Sequence, residues 1–348
     1  MRSTLATVTN VDVTGDAWQQ ASLPVRHGGL GARRVEALAL PCYLASLTAV
    51  QPIIDNRSAR EEAATELAMT KERFRAEHPD AELPVGTAAN SQRAWDTIAA
   101  TTESRRLLAT ANQLHRARLV AANQPHTGAW LQVVPVPSLG LLLDEDTVRV
   151  AVALRLGAQV CVPHRCRCGQ TVDRLGHHGL SCRFSAGRFP RHASLNDVVK
   201  RGLASAGVPA VLEPVGLDRG DGRRPDGLTV FPYSEGRSLI WDATCVDTYA
   251  ATALVESALE PGSAATAAEE RKRRRYEALS DQYRFVPLAV ETTGVLGPAC
   301  ASFLAELGRR ITACTGEKRE TAWLRQRISV AVARGNAVSI TSATRSNL

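Results

Sequence analysis

The sequence predicts an α+β chain: a helical N-terminal half followed by an α/β C-terminal half. Three observations predict it. Between residues 32 and 123 apolar side chains recur at helical spacing. After residue 194 short apolar runs alternate with helical patterns, in the order helix, strand, strand, strand, helix, strand, helix. Between the two halves, four of the eight cysteines crowd into 161–182. The chain has 348 residues, enough for about two domains at ~150 residues each. The expected boundaries are a helical region over 1–158, a cysteine-rich segment over 159–186 and an α/β domain over 187–348.

Residues 1–23 form a weakly periodic lead-in. The glycines of 23–31 lack the strand and helix that a nucleotide-binding loop needs around it. Val35, Leu38, Leu40 and Leu44 mark a helix interrupted near Pro41. Ser58, with Glu61 three residues on, reads as the capping box of a helix over 59–77. Pro79 and Pro84 mark a linker. Asn90 or Ser91 caps a long stretch to Ala122, with Trp95, Ile98, Leu107, Leu108, Leu114 and Leu119 as core positions. Asp144 caps a further helix that Gly157 ends. In the second half Ser194 caps a helix that Gly207 terminates. Strands follow at 211–213, 228–231 and 238–241, then a helix at 264–283, a buried strand at 285–291 and helices at 298–315 and 321–333.

The formal net charge is +7, with 44% hydrophobic and 22% charged residues, values that suit a globular chain and argue against global disorder. No apolar run approaches the ~18–20 residues of a membrane span. The N-terminus lacks an apolar signal core, which leaves secretion unsupported and points to an intracellular setting. Eight cysteines in a chain of this length are too few for a disulfide scaffold. The positive charge is concentrated: 164–201 carries eight Arg and Lys against two Asp, a local net of +6. Arg183, Arg188, Arg191, Lys200 and Arg201 belong to this cluster. Arg223, Arg224 and the run 271–275, which includes Arg275, are further basic sites. Clustered charge of this kind is the footprint of phosphate binding.

Cys166, Cys168, His177 and Cys182 give three thiolates and an imidazole, a donor set that suits tetrahedral Zn²⁺ in a closed, structural site. His178 is an alternative to His177, and Cys161 or His164 to one of the cysteines. Asp226 heads one predicted strand and Asp242 ends the next, sixteen positions later. A hairpin of that length brings the two carboxylates to one end of a sheet, where they can hold Mg²⁺ through oxygen ligands. Such ions activate water and stabilise the leaving oxygen of a phosphodiester. Glu213 and Glu291 are further carboxylate candidates. Lys272 is the best candidate for a cation facing the scissile phosphate, with Arg275 second. Tyr276 packs either on a base or on the core.

Taken together, Cys166 to Cys182, the run Arg191-His-Ala-Ser-Leu-Asn-Asp197, Arg224-Pro-Asp226, Asp242 and 271–276 resemble the C-terminal region of non-long-terminal-repeat retrotransposon polyproteins that carry a restriction-like endonuclease. The resemblance covers roughly 120–300, and more loosely the thumb and linker that follow the polymerase in that family. It implies a Cys-Cys-His-Cys zinc knuckle ahead of a PD-(D/E)XK nuclease core that nicks target DNA. By that resemblance Asp226 and Asp242 bind Mg²⁺, and Cys166, Cys168, His177 and Cys182 bind zinc. Thr244 stands where the family's motif lysine is expected, and Lys272 from the following helix takes that role. DNA is the implied partner, with element RNA a second one, and the implied compartment is the nucleus or cytoplasm. No Tyr/Phe-x-Asp-Asp polymerase motif occurs, so reverse transcription by this chain alone is not expected. The chain reads as the separated tail of an element. The alternative reading is a catalytically dead nucleic-acid-binding remnant.

Overall fold

The computed structural model describes residues 1–217 and 224–344 and is a mixed α/β structure with two small sheets. It divides into two units, Thr14–Ala111 and a larger one that joins Met1–Val13 to Asn112–Leu348. The first helix, α1 (Arg2–Thr9), belongs to the larger unit.

The smaller unit holds α2 (Gly15–Ala21), α3 (Val35–Val50), α4 (Arg57–Glu77) and α5 (Gln92–Thr110). Leu44, Ala45, Leu67, Phe74, Ala89 and Trp95 form its core. The Trp95 indole is fully buried, and its N–H donates to the Ala89 carbonyl at 2.8 Å, so it enters the core without an unpaired donor. Pro41 does not interrupt α3 as expected. The helix runs through it, and Pro41, Leu44 and Ala45 are all buried, so packing offsets the missing backbone bond. The cap of α4 is Asn56, which accepts the Ala59 amide at 3.0 Å. Ser58 instead lies inside the helix, and its hydroxyl meets Glu62.

The long helical stretch predicted to reach Ala122 is two helices. Ala111 is extended, and the Asn112 side chain accepts the His115 amide at 2.9 Å to open α6 (Gln113–Ala122) in the larger unit. α7 (Glu145–Leu156) is capped as expected, by Asp144 on the Thr147 amide, and ends at Gly157 with φ 67°. The cysteine-rich segment follows: β1 (His164–Arg165) pairs antiparallel with β2 (Thr171–Val172), then comes α8 (His178–Ser181).

α9 (Arg188–Ser205) begins six residues ahead of the expected Ser194, because Gly187 sits directly against the backbone of a later helix and the chain turns into α9 there. Then come β3 (Ala210–Leu212), β4 (Gly227–Thr229), β5 (Leu239–Val246), α10 (Leu254–Leu259), α11 (Ser263–Tyr276), β6 (Arg284–Glu291), α12 (Pro298–Thr315) and α13 (Glu320–Thr344). The four-strand sheet has the order β3-β4-β5-β6, antiparallel except for the parallel pair β5–β6, which α10 and α11 connect. β5 runs five residues past the expected end at Trp241, paired with β6 over eight positions from Leu239↔Arg284 to Val246↔Glu291. Asp242 is therefore in the middle of a strand, not at its end.

Alternation along β5 sorts its side chains. Leu239, Trp241 and Ala243 join Leu195, Val199, Leu203, Phe303, Leu307 and Ile328 in the main core, between the sheet and α9, α12 and α13. Ile240, Asp242 and Thr244 point the other way, towards α11. There Ala265 and Ala268 let the helix approach Ala289 and Val246 closely. Among the described residues no helix is long and apolar enough to cross a membrane.

Candidate functional site

Asp226 and Asp242 are brought together by strand register. Gly227 pairs with Trp241, and the Asp226 amide donates to the Trp241 carbonyl at 2.9 Å, so the two carboxylates sit on neighbouring strands. Glycine is required at 227, because a Cβ there would lie 2.0 Å from the Trp241 indole. Two helices complete the site. α9 contributes His192, whose Nε2 lies 2.9 Å from Asp226 Oδ2. α11 contributes Lys272, which forms a tight ion pair with Asp242. Ligand atoms of His192, Asp226 and Asp242 lie within 4.8 Å of one another.

The positions on α11 follow from helical spacing. Ala265, Ala268, Lys272 and Tyr276 share the stripe that faces the sheet, while Arg271, Arg273, Arg274 and Arg275 are exposed. Tyr276 packs on the core: it is buried against Phe285 with ring centroids 4.7 Å apart, and its hydroxyl donates to the Arg224 carbonyl at 2.9 Å.

The electrostatics separate the two aspartates. Burial raises the Asp242 carboxyl; Lys272 pulls it back, but repulsion from Asp226 adds to burial, and the net shift is upward. Burial acts on Asp226 as well. There the hydrogen bond and charge of His192 and the Ala243 amide, at 2.6 Å, outweigh it and hold the carboxyl low. The hydrogen bond to Asp226 correspondingly raises His192, against its own burial. Asn196, one turn beyond His192 on α9, accepts the Trp241 indole N–H at 2.9 Å and fixes the helix to the strand beneath the site.

Of the other predicted carboxylates, neither joins this cluster. Glu213 lies just past β3 on the surface and pairs with Arg224. Glu291 is fully buried at the far end of β6, four residues along from the partner of Asp242. Its carboxylate accepts the Thr248 hydroxyl at 2.9 Å and the Ala265 amide at 3.3 Å, so it caps the start of α11. Arg191 is also structural. It is buried, and its guanidinium donates to Asn336 at 2.7 Å. Arg183, Arg188 and Lys200 are exposed; Arg201 is exposed and paired with Asp197, and Arg224 with Glu213. Arg223 lies outside the described residues.

Cys166, Cys168 and Cys182 converge as expected, but the fourth member is His178, not His177. The His177 ring turns away and stacks on Tyr249, 4.0 Å between centroids and 4° from parallel, and burial pushes its pKa down to about 4. His178 Nε2 lies 3.2 Å from Cys168 Sγ, and Cys166 Sγ lies 3.6 Å from Cys182 Sγ. For a tetrahedral ion with sulfur ligands at ~2.3 Å, the edge between two sulfurs is roughly 3.8 Å, so the donors fit. Cys161 and His164 stay outside the four. The Cys161 thiol faces the Asp173 carbonyl at 3.1 Å, and His164 Nδ1 faces its own loop at Val162.

Sequence reasoning did not find His192 and Asn196 as site residues. They stand four apart in the run 191–197, a spacing that places both on one face of a helix and is the only local signal they give. Compared with known proteins, the chain matches no family model and no curated protein.

Proposed function

We propose that this chain is a metal-dependent DNA endonuclease module with a PD-(D/E)XK-type core and a structural zinc knuckle, as its resemblance to retrotransposon endonucleases implies. The observation that carries the reading is the meeting of Asp226, Asp242, His192 and Lys272 at one point of a sheet flanked by helices.

The two carboxylates are the oxygen donors for Mg²⁺, the hard cation they suit. Bound there, Mg²⁺ supplies an activated water and charge stabilisation for phosphodiester hydrolysis. His192 is a positioning residue. Its hydrogen bond keeps Asp226 ionised and fixes the direction of its second oxygen, as outer-shell partners of carboxylate ligands do. Lys272 supplies the positive charge missing at Thr244. It balances Asp242 and is the nearest cation for a phosphate that enters the site. Cys166, Cys168, His178 and Cys182 hold Zn²⁺, which has no open position among four protein ligands and so acts structurally.

Nicking of supercoiled plasmid in Mg²⁺ tests the reading. The wild-type chain converts plasmid to the open circle, and Asp226→Asn and Asp242→Asn each abolish conversion. Cleavage that survives both substitutions overturns it. Salt-sensitive DNA binding with no Mg²⁺-dependent cleavage by the wild-type chain assigns it instead as a dead binding remnant.

A further inference from the structure

Two phenylalanines stand in solvent where the cysteine cluster joins α9. Phe189 is 84% exposed and Phe184 49% exposed. A phenylalanine ring left 84% in water adds little to the packing of the fold. The Phe184 ring carries two guanidinium groups, Arg183 at 4.8 Å and Arg167 at 5.8 Å from its centroid. Arg188 is exposed beside Phe189. Among the described residues, none of Arg167, Arg183 and Arg188 forms an ion pair with a carboxylate. Phe189 is three residues before His192 on α9, on the same side of the helix and about 4.5 Å of rise from it.

We propose that Phe184 and Phe189, with Arg167, Arg183 and Arg188, form a stacking platform for an unpaired DNA strand that leads into the Asp226–Asp242 site. The proposal rests on the endonuclease reading and names its substrate class. The chemistry selects this occupant. An open aromatic face flanked by exposed arginines, none paired with a carboxylate among the described residues, offers stacking to a base and charge to the adjoining phosphates, the combination that holds single strands without reading sequence. In a duplex each base face is covered by its neighbours, so Phe189 gains a partner only where the strand is open. The substrate is then DNA with an unpaired base beside the scissile phosphate, such as a single strand or a fork.

The test uses the full chain in Mg²⁺-free buffer without chelator, so that cleavage does not enter and the cysteine cluster keeps its ion. Anisotropy measures affinity for a short labelled single strand and for its blunt duplex. Phe189→Ala weakens single-strand binding by roughly 5- to 150-fold, the loss expected for one stacked base. Phe189→Trp keeps the affinity, and duplex binding changes little. Arg183→Ala reduces the steepness of the salt dependence. Single-strand affinity unchanged in Phe189→Ala overturns the platform, as does an equal loss on both DNA forms. A change in sedimentation without a change in strand affinity assigns the face to a second copy of the chain and also overturns it. A wild-type chain that binds neither form removes the DNA partner, and with it the endonuclease reading. Unchanged Phe189→Ala binding alongside nicking that depends on Asp226 and Asp242 removes the platform alone.

Discussion

At the scale of single residues, the site is a balance of buried charges. The side chains of Lys272 and Asp242 are only 13% and 8% exposed, so neither charge is screened by water. Removing one partner of such a pair leaves the other uncompensated, whereas removing both leaves a neutral core. Lys272→Met is therefore expected to lower stability by about 3 kcal/mol in chemical denaturation without added Mg²⁺. The Lys272→Met, Asp242→Asn double variant is expected to recover most of the loss, and equal losses in the single and double variants would show that the pair does not set the cost. The two aspartates were legible in the sequence as a pair, Asp226 after Pro225 at the head of one predicted strand and Asp242 sixteen positions on at the next, beside the cysteine cluster and the basic segment. Lys272 was legible from the resemblance, and the structure adds its physical reason: it shares the sheet-facing stripe with Ala265 and Ala268. His192 lies in the run 191–197 that carries the resemblance, but its role was not legible, since its partner Asp226 lies 34 residues away. His177 and His178 are adjacent, and spacing cannot choose between them. Tyr249, distant in sequence, does so by taking the His177 ring.

At the scale of elements, the ends that follow local chemistry agreed with the sequence and the ends set by packing did not. Asp144 and Gly157 bound α7 as expected because cap and left-handed turn are written in adjacent residues. The start of α9 and the length of β5 depend on distant partners, the backbone of α13 and eight positions of pairing with β6, whereas α4 is the exception: its start is set by the local Asn56 cap, two residues ahead of the expected Ser58. The cap of α7 gives a pH prediction. The backbone hydrogen bond from Thr147 lowers the Asp144 carboxyl below its ordinary value. A lowered carboxyl contributes stability that is fully present above the unfolded value, near 3.8, and is lost as pH falls through the folded value. Asp144→Ala should cost about 1 kcal/mol at neutral pH, and the difference from wild type should vanish in acid below that window. A melting-temperature difference that persists unchanged into acid would remove the ionised cap as its cause. The short strand β4 gives a second expectation. Gly227→Ala should lower stability by about 3 kcal/mol, because the added methyl meets the buried Trp241 ring and neither strand can move without separating Asp226 from Asp242. The variant should lose metal-dependent nicking along with stability; full activity in a stably folded variant would show that the register tolerates the methyl.

At the scale of the larger unit, the cysteine cluster and the α/β sheet are linked through α13. Gly179, in α8, lies so close to this helix that a Cβ would stand 2.9 Å from the Ser339 carbonyl oxygen, and Gly187 is pressed against Gly335 and Ser339 one step further along. Arg191 reaches across Gly335 to Asn336, and Asn336 in turn donates to the Thr292 carbonyl at the end of β6. The cysteine cluster thus holds one side of α13 while the sheet core, through Ile328, Ala331 and Val332, holds the other. A structural ion contributes its binding free energy to the segment that folds around it. Loss of the ion should therefore be felt along the second half of α13 and the start of α9, ahead of the strands. Hydrogen exchange after treatment with a high-affinity zinc chelator checks this. Exchange should rise over 166–182 and in the part of α13 around Ser339, while β5 and β6 keep their protection. Cys182→Ser should reproduce the pattern without chelator. Faster exchange confined to 166–182 would show that the cluster folds without supporting α13, and equal loss across β5 and β6 would show that the knuckle and the sheet unfold as one body.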